Sequence, residues 1–140
     1  MITAVDTNIL LDVFTADPRF GLASRTSLQR CAAEGSLIAC DVVWAEVCGS
    51  FRRPADAERA LDRLGVGFDA LDRDISSAAG SAWRRYREAG GTRRRVLADF
   101  LIGAHAAGHA DRLLTRDRGF YRSHFARLRV LDPQGDKPVR

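Results

Sequence analysis

The chain opens with the stretch Met1-Ile2-Thr3-Ala4-Val5-Asp6-Thr7-Asn8, in which a short apolar run ends in three polar residues. A run of this length that meets helix-capping residues is typical of a buried strand leading directly into a helix. We therefore predict a strand over residues 2–5 and a helix whose N-cap is Thr7 or Asn8. Apolar residues at positions 9, 10, 13 and 14 give this helix one buried face.

The same alternation of strand and helix continues along the chain. Further short apolar runs predict strands over residues 36–40, 68–71, 112–115 and 129–131. Periodicity and capping residues predict helices over residues 22–33, 41–47, 54–64, 74–89, 96–107 and 117–125. This order predicts an α/β fold, a three-layer α/β/α sandwich around a mostly parallel sheet of about four to five strands. We assign residues 1–132 to this domain and residues 133–140 to a C-terminal tail.

Length and composition argue against several classes of protein. A chain of 140 residues is one domain's worth of sequence and can bury an independent core. No stretch approaches the roughly 20 apolar residues of a membrane span, and no basic region precedes Asp6, so we expect neither a membrane partner nor a signal peptide. The cysteines at positions 31, 40 and 48 have apolar neighbours and no metal-ribbon spacing. We therefore expect reduced thiols in a cytoplasmic protein.

The net charge of +4 is distributed unevenly along the chain. Residues 1–70 carry 7 basic and 10 acidic side chains, whereas residues 71–140 carry 15 basic and 8 acidic ones. A basic second half indicates a polyanionic partner such as nucleic acid. Of the 22 basic residues 21 are arginine, a bias that a GC-rich genome explains better than function does.

Four carboxylates stand where a solvated acid is not expected. Asp6 and Asp117 each follow a predicted strand, and Glu46 and Asp99 are the isolated acids of two apolar helices. Taken singly, each has an ordinary explanation, such as a helix cap, an arginine partner or an acid in the first turn of a helix. Taken together, they belong to one edge of a parallel sheet, because parallel strands end at the same edge.

Clustered carboxylates need a counter-charge. Carboxylates within about 5 Å of one another repel by roughly 3 kcal/mol per pair at an effective dielectric constant near 20. Such a cluster either retains protons or binds a divalent cation, and an all-oxygen ligand set suits Mg²⁺ or Mn²⁺ rather than Zn²⁺. The sequence therefore predicts a Mg²⁺ or Mn²⁺ site at this edge.

Four blocks of sequence resemble PIN-domain ribonucleases, most closely the VapC-type toxins of type II bacterial toxin–antitoxin pairs. In chain order the blocks are Val5-Asp6-Thr7-Asn8, Trp44-Ala45-Glu46-Val47, LADFLIGAHA over residues 97–106 and LLTRDRGFY over residues 113–121. They span nearly the whole chain, and the two C-terminal blocks are the most specific. The resemblance implies a PIN-like fold with a catalytic metal site made from Asp6, Glu46, Asp99 and Asp117.

The same resemblance implies an activity and partners. The implied activity is Mg²⁺- or Mn²⁺-dependent endoribonuclease activity on RNA. The implied partners are a cognate VapB-like antitoxin that neutralises the toxin and a second copy of the chain in a homodimer. Asp6, Asp99 and Asp117 would be metal ligands, and Glu46 would bind the metal directly or through water, or orient the nucleophile. Hydrogen-bond donors that would hold these carboxylates are Thr7, Asn8 and Thr115, and candidate contacts to RNA phosphates are Arg93, Arg95 and Arg116.

Other readings of the sequence are weaker. An aspartyl-phosphate hydrolase needs a second acid where Asn8 stands and a lysine, and the chain's one lysine is Lys137 in the tail. A non-catalytic RNA-binding or scaffold protein of PIN fold would be expected to lack some of the four acids. A PIN nuclease outside toxin–antitoxin systems stays open as an alternative.

One pair of histidines has the spacing of helical zinc ligands. His105 and His109 are four residues apart, but the glutamate that follows the first histidine of a zinc-protease helix is absent. A packed His105 and a helix-end His109 are the more ordinary interpretation. Several acids in polar surroundings, Asp69 and Asp72 among them, are expected to be solvated.

Overall fold

Five parallel strands and seven helices form the part of the chain described by the computed structural model, residues 1–92 and 95–135. The strands are β1 (Ile2–Val5), β2 (Ser36–Ala39), β3 (Val66–Phe68), β4 (Arg112–Leu114) and β5 (Val130–Leu131). The helices are α1 (Thr7–Phe14), α2 (Gly21–Glu34), α3 (Asp41–Gly49), α4 (Pro54–Leu64), α5 (Arg73–Glu88), α6 (Leu97–His109) and α7 (Arg118–His124). The predicted α/β class with a parallel central sheet is confirmed.

The strand order places a switch point in the middle of the sheet. The order is β3-β2-β1-β4-β5, and every neighbouring pair is parallel. The chain moves outward from β1 through β2 to β3, then returns to place β4 on the other side of β1. Right-handed crossovers put the helices of these two halves on opposite faces of the sheet. A crevice for ligands forms at such a reversal, outside the carboxyl ends of the central strands.

Register brings the ends of β1 and β4 together at this switch point. Val5 pairs with Leu114, and the Asp6 N–H donates to the Leu114 carbonyl at 3.0 Å. The residues that follow the two strands, Asp6 and Thr115, therefore leave the sheet side by side. This is the geometric reason that two acids 111 positions apart, Asp6 and Asp117, share one region.

Two predicted boundaries were wrong for local reasons. The third strand covers Val66–Phe68 rather than residues 68–71, because Gly65 ends α4 in the left-handed conformation (φ 74°) and completes the turn in one residue. The N-cap of α1 is Asp6 rather than Thr7 or Asn8, since its Oδ1 accepts the Thr7 N–H at 2.7 Å.

Helix α6 lies in the interior, as its apolar sequence predicts. Its side chains Phe100, Ile102, Ala104 and Ala106 are buried, and α5 packs along it. The helix reaches His109, two residues beyond the predicted end, and Gly108 in this last turn faces Ile75 of α5. A Cβ at Gly108 would lie 3.2 Å from Ile75, so the glycine permits close packing of the two helices there.

The described residues contain no helix that is both long enough and apolar enough to cross a membrane. The three cysteines are free thiols, of which Cys31 and Cys40 are buried. Of the proposed C-terminal tail, residues 136–140 lie outside the described part of the chain.

Candidate active site

Asp6 is a buried carboxylate at the end of β1, with a relative exposure of 6%. Its Oδ1 accepts the Thr7 N–H at 2.7 Å, and its Oδ2 accepts the Thr115 hydroxyl at 2.7 Å and the Asn8 amide at 3.4 Å. Burial raises the pKa of Asp6 to about 6 despite these hydrogen bonds, and the nearby charge of Asp117 adds to the rise. The fold therefore holds a carboxylate in place at a cost in solvation.

The Thr115 hydroxyl joins the ends of the two central strands. It donates to Asp6 and accepts the N–H of Asp117 at 3.0 Å and the amide of Asn8 at 3.3 Å. One donor and two acceptor positions are all that a hydroxyl offers, so this group is fully used. Two of the three predicted holding residues, Asn8 and Thr115, thus fix the position of Asp6 relative to the start of α7.

Asp99 enters the same region from the first turn of α6. Its Oδ2 accepts the N–H of Val96 at 3.3 Å. Burial raises the pKa of Asp99, Asp117 raises it further, and the neighbouring Arg95 guanidinium opposes the shift. The charge of Asp117 raises the pKa values of both Asp6 and Asp99, so the three carboxylates form one electrostatic cluster.

Arg95 already pairs with one member of this cluster. Its two terminal nitrogens contact the two carboxylate oxygens of Asp117, the second at 3.0 Å, and its guanidinium lies 4.4 Å from the ring centroid of Phe120. A forked contact of this kind is geometrically specific. Arg95 therefore lies at the acid cluster, and its contact with an RNA phosphate stays a prediction.

Glu46 reaches the cluster from α3 through one hydrogen bond. Its Oε1 accepts the Thr7 hydroxyl at 2.9 Å, and the Thr7 N–H donates to Asp6. Thr7 thus links two of the four predicted acids, through its side chain and its backbone. Glu46 itself is exposed, in contrast to Asp6.

The donor set fits a magnesium-type cation. Across residues 1–92 and 95–135, no three of these acids offer oxygens that all lie within 4.8 Å of one another, so they do not meet at one point. Mg²⁺ keeps several waters and needs only one or two carboxylates as direct protein ligands. Carboxylates whose pKa values are raised by burial and by each other's charge are stabilised by such a cation.

Arg116 makes different contacts from those that its position beside Asp117 suggests. Its guanidinium pairs with Asp12 of α1 at 2.7 and 2.9 Å and lies 3.9 Å from the ring centroid of Phe20. Asp12 is buried and also accepts the Ser24 hydroxyl at 2.7 Å. Arg93 lies outside the described residues.

Sequence reasoning missed Tyr121 as part of the site. Its side chain is buried, its hydroxyl lies close enough to Asp6 to lower the pKa of that carboxyl, and the charges of Asp6, Asp99 and Asp117 all help raise the pKa of Tyr121, after burial itself. Tyr121 follows Asp117 by four residues on α7, a spacing that puts two side chains on one helix face. That spacing was the available signal.

Comparison with known proteins identifies the family to which this fold belongs. The PIN domain family model matches residues 3–125. VapBC2 from Rickettsia felis, solved with a fragment of promoter DNA, has a TM-score of 0.73 at 20% identity over 94% of this chain and 98% of its own. A toxin–antitoxin complex from Klebsiella pneumoniae has a TM-score of 0.67 at 23% identity, over 94% of this chain and 97% of its own. VapC20 of Mycobacterium tuberculosis, described as a sarcin–ricin loop cleaving toxin, has a TM-score of 0.60 at 18% identity, over 91% of this chain and 98% of its own.

Among curated proteins, no sequence matches this chain closely enough to count as a relative. The solved structures share its fold at low identity, and the family model covers 123 of its 140 residues, from Thr3 to Phe125. The chain therefore belongs to the PIN domain family.

Proposed function

We propose that this chain is a Mg²⁺- or Mn²⁺-dependent endoribonuclease that acts as the toxin of a toxin–antitoxin pair. The observation that carries the proposal is the cluster of Asp6, Asp99 and Asp117 at the switch point of a PIN-family sheet. The three carboxylates come from three separate elements and are held against their mutual repulsion. Three carboxylates placed close together do not stabilise the fold, so we infer that they serve a function.

Asp6, Asp99 and Asp117 would hold the cation, and Glu46 would bind it directly or through water or orient the nucleophile. When bound, such a cation lowers the pKa of a water molecule and stabilises negative charge on a phosphodiester in the transition state. The rest of the machinery belongs to the chain. Thr7 and Thr115 orient the carboxylates, and Tyr121 of α7 lies close to Asp6.

The charge distribution favours a nucleic-acid substrate, and the resemblance to VapC-type toxins favours RNA within that class. Arg95 lies beside both Asp99 and Asp117, so its guanidinium is placed to contact a phosphate of a bound strand. We keep Arg93 and Arg116 as proposed phosphate contacts, although Arg116 would first have to leave Asp12. VapC20, a structural neighbour, is named for cleaving an RNA loop, which supports the same class.

A VapB-like antitoxin is the proposed partner, in a cytoplasmic complex built on a toxin homodimer. Two structural neighbours, from Rickettsia felis and Klebsiella pneumoniae, were solved as VapBC or toxin–antitoxin complexes. Beside the acid cluster, this chain exposes Val96 and Leu97 next to Trp83 and Tyr86 in a groove between α5 and α6. An antitoxin segment lying in that groove would cover the apolar side chains and the acids together.

Cleavage of total cellular RNA by the purified chain tests the activity. We expect cleavage with Mg²⁺ or Mn²⁺, none with EDTA, and a loss of at least about 100-fold in Asp6→Asn and Asp99→Asn, since both remove cation ligands. The matched control is Asp62→Asn, an exposed acid of α4, which should cleave like the wild type.

The possible outcomes separate the alternatives. Equal cleavage by all four proteins would rule out this site, and no cleavage by any would favour an RNA-binding or scaffold protein of PIN fold. Cleavage restricted to single-stranded DNA would keep the metal site and contradict the toxin assignment. Inhibition by the product of a neighbouring open reading frame would support the antitoxin partner.

A further inference from the structure

A second cluster of polar side chains lies toward the far end of α6. His105 and His109 are one turn apart on this helix, and Asp69 directly follows β3. Six and ten residues separate the histidines from Asp99, which corresponds to about 9 and 15 Å along the helix axis. The cluster is therefore distinct from the candidate active site.

Three atoms that can bind a metal converge here. Asp69 Oδ2 lies 2.7 Å from His105 Nε2 and 2.5 Å from His109 Nδ1. In the described part of the chain, no other group of three His, Cys, Asp or Glu residues offers atoms that all lie within 4.8 Å of one another. Ligand atoms on a tetrahedral zinc ion lie about 3.3 Å apart. The two distances from Asp69 Oδ2 to the histidine nitrogens would therefore need to grow by less than ~1 Å to admit the ion.

The other nitrogen of His109 is held by a carboxylate. His109 Nε2 lies 2.8 Å from Asp72 Oδ2, and Asp72 Oδ1 accepts the N–H of Ile75 as the N-cap of α5. Metal-binding histidines almost always donate their remaining ring N–H to such a carboxylate or carbonyl, which fixes the ring orientation. Asp72 therefore keeps His109 Nδ1 directed at Asp69.

Burial gives the cluster one closed wall and one open side. The His105 side chain is 2% exposed, whereas Asp69 is 37% and His109 29% exposed. An ion can therefore enter from solvent and retain a water as a further ligand. Asp69 and Asp72 remain 37% and 50% exposed, as expected of solvated acids, but the sequence did not reveal their histidine partners, which come from a helix more than 30 residues away.

We propose that Asp69, His105 and His109 bind one divalent transition-metal ion, Zn²⁺ or a close analogue such as Co²⁺, with Asp72 orienting His109. Two imidazoles and one carboxylate favour these ions over Mg²⁺, which prefers an all-oxygen set. A bound ion ties α6 to the connection between β3 and α5. This proposal does not depend on the proposed nuclease function, and the two can be tested separately.

Titration of the full chain with Co²⁺ in excess Mg²⁺ tests the proposal, since Mg²⁺ masks the acid cluster. The protein is first stripped with a chelator and freed of it. We expect one Co²⁺ per chain, visible absorption bands of a low-symmetry site, and displacement of Co²⁺ by Zn²⁺. Asp69→Asn and His109→Gln should abolish stoichiometric binding, and Asp72→Asn should weaken it about 10- to 100-fold.

The matched control is His124→Gln, which removes the remaining histidine and should leave Co²⁺ binding unchanged. Because Asp69 and His109 are partly exposed, their variants test the site even if substitution of buried His105 impairs folding. Absence of stoichiometric Co²⁺ binding in the wild type would overturn the proposal. So would binding that Asp69→Asn and His109→Gln both leave intact.

Discussion

The Thr115 hydroxyl is the single group that connects both halves of the candidate active site. It is fully buried, and it positions Asp6 while receiving the backbone of Asp117. Thr115→Val keeps the shape of the side chain and removes the hydrogen bonds. We expect the free energy of unfolding to fall by about 1–3 kcal/mol and the affinity for Mg²⁺ or Mn²⁺ to fall roughly 10- to 100-fold.

Urea unfolding and calorimetric titration with Mn²⁺ measure these two effects. Thr115→Ser is the matched control, because it retains the hydroxyl and should bind Mn²⁺ nearly as tightly as the wild type. If the valine and serine variants bind Mn²⁺ equally well, the hydroxyl does not hold the site together.

At the residue scale, the sequence predicts which acids belong together but not how each is paired. Asp6 and Asp117 follow parallel strands, so their proximity follows from register alone. The contacts of Arg95 with Asp117 and of Arg116 with Asp12 depend on the packing of α6, α7 and α1 around the sheet. Arg116 is next to Asp117 in the sequence, but its guanidinium pairs with Asp12 of α1. Its contact with RNA stays a prediction.

At the element scale, two glycines in adjacent helices have opposite roles. A Cβ at Gly103 of α6 would lie 2.3 Å from the Phe125 ring, whereas a Cβ at Gly80 of α5 would meet nothing within 4 Å. The Phe125 ring also lies near Phe100 and Tyr121, so it cannot move without losing contacts. We expect Gly103→Ala to destabilise the fold by about 1–3 kcal/mol and Gly80→Ala to stabilise it by about 0.5–1 kcal/mol.

Urea denaturation of the two variants beside the wild type measures this difference in sign. Adding Phe125→Leu to Gly103→Ala should recover part of the lost stability, because the smaller side chain leaves room for the methyl group. Equal effects of the two alanine substitutions would contradict the packing of Phe125 against α6.

Helices were easier to predict than strand boundaries for a physical reason. The helix over residues 54–64 begins at a proline and ends at a left-handed glycine, so local sequence determines both ends. β3 is three residues long, contains Gly67, and is defined by its pairing with β2. That pairing joins residues distant in the chain, which local pattern does not reveal.

At the scale of the whole molecule, the uneven charge acquires a structural explanation. Two divalent cations that neutralised Asp6, Glu46, Asp99 and Asp117 would leave 22 basic against 14 acidic side chains, a balance of +8. The alternation of strands and helices along the chain predicts the parallel sheet. No local sequence pattern indicates that β4 pairs with β1, on the side opposite β2. That long-range step creates the switch point and brings Asp6, from the acidic half of the chain, close to Asp117 in the arginine-rich half.

The acid cluster should also lower the stability of the metal-free protein in a pH-dependent way. Asp6 has a pKa of about 6 in the folded chain against an ordinary value of 3.8, so the folded state holds this proton more tightly than the unfolded state. Its contribution to stability is therefore lost as pH rises through 6. Between pH 5 and pH 8 this loss amounts to about 1 kcal/mol.

Asp6→Asn removes that titration, so in EDTA its stability relative to the wild type should improve by about 1 kcal/mol from pH 5 to pH 8. Urea unfolding at both pH values measures the change, with exposed Asp62→Asn as the control for loss of an acid. Excess Mg²⁺ at pH 8 should raise the stability of the wild type more than that of Asp6→Asn, because the variant lacks one ligand for the cation. A difference in stability between the two proteins that does not change with pH, or that Mg²⁺ does not change, would contradict a cost of burying Asp6 that a cation relieves.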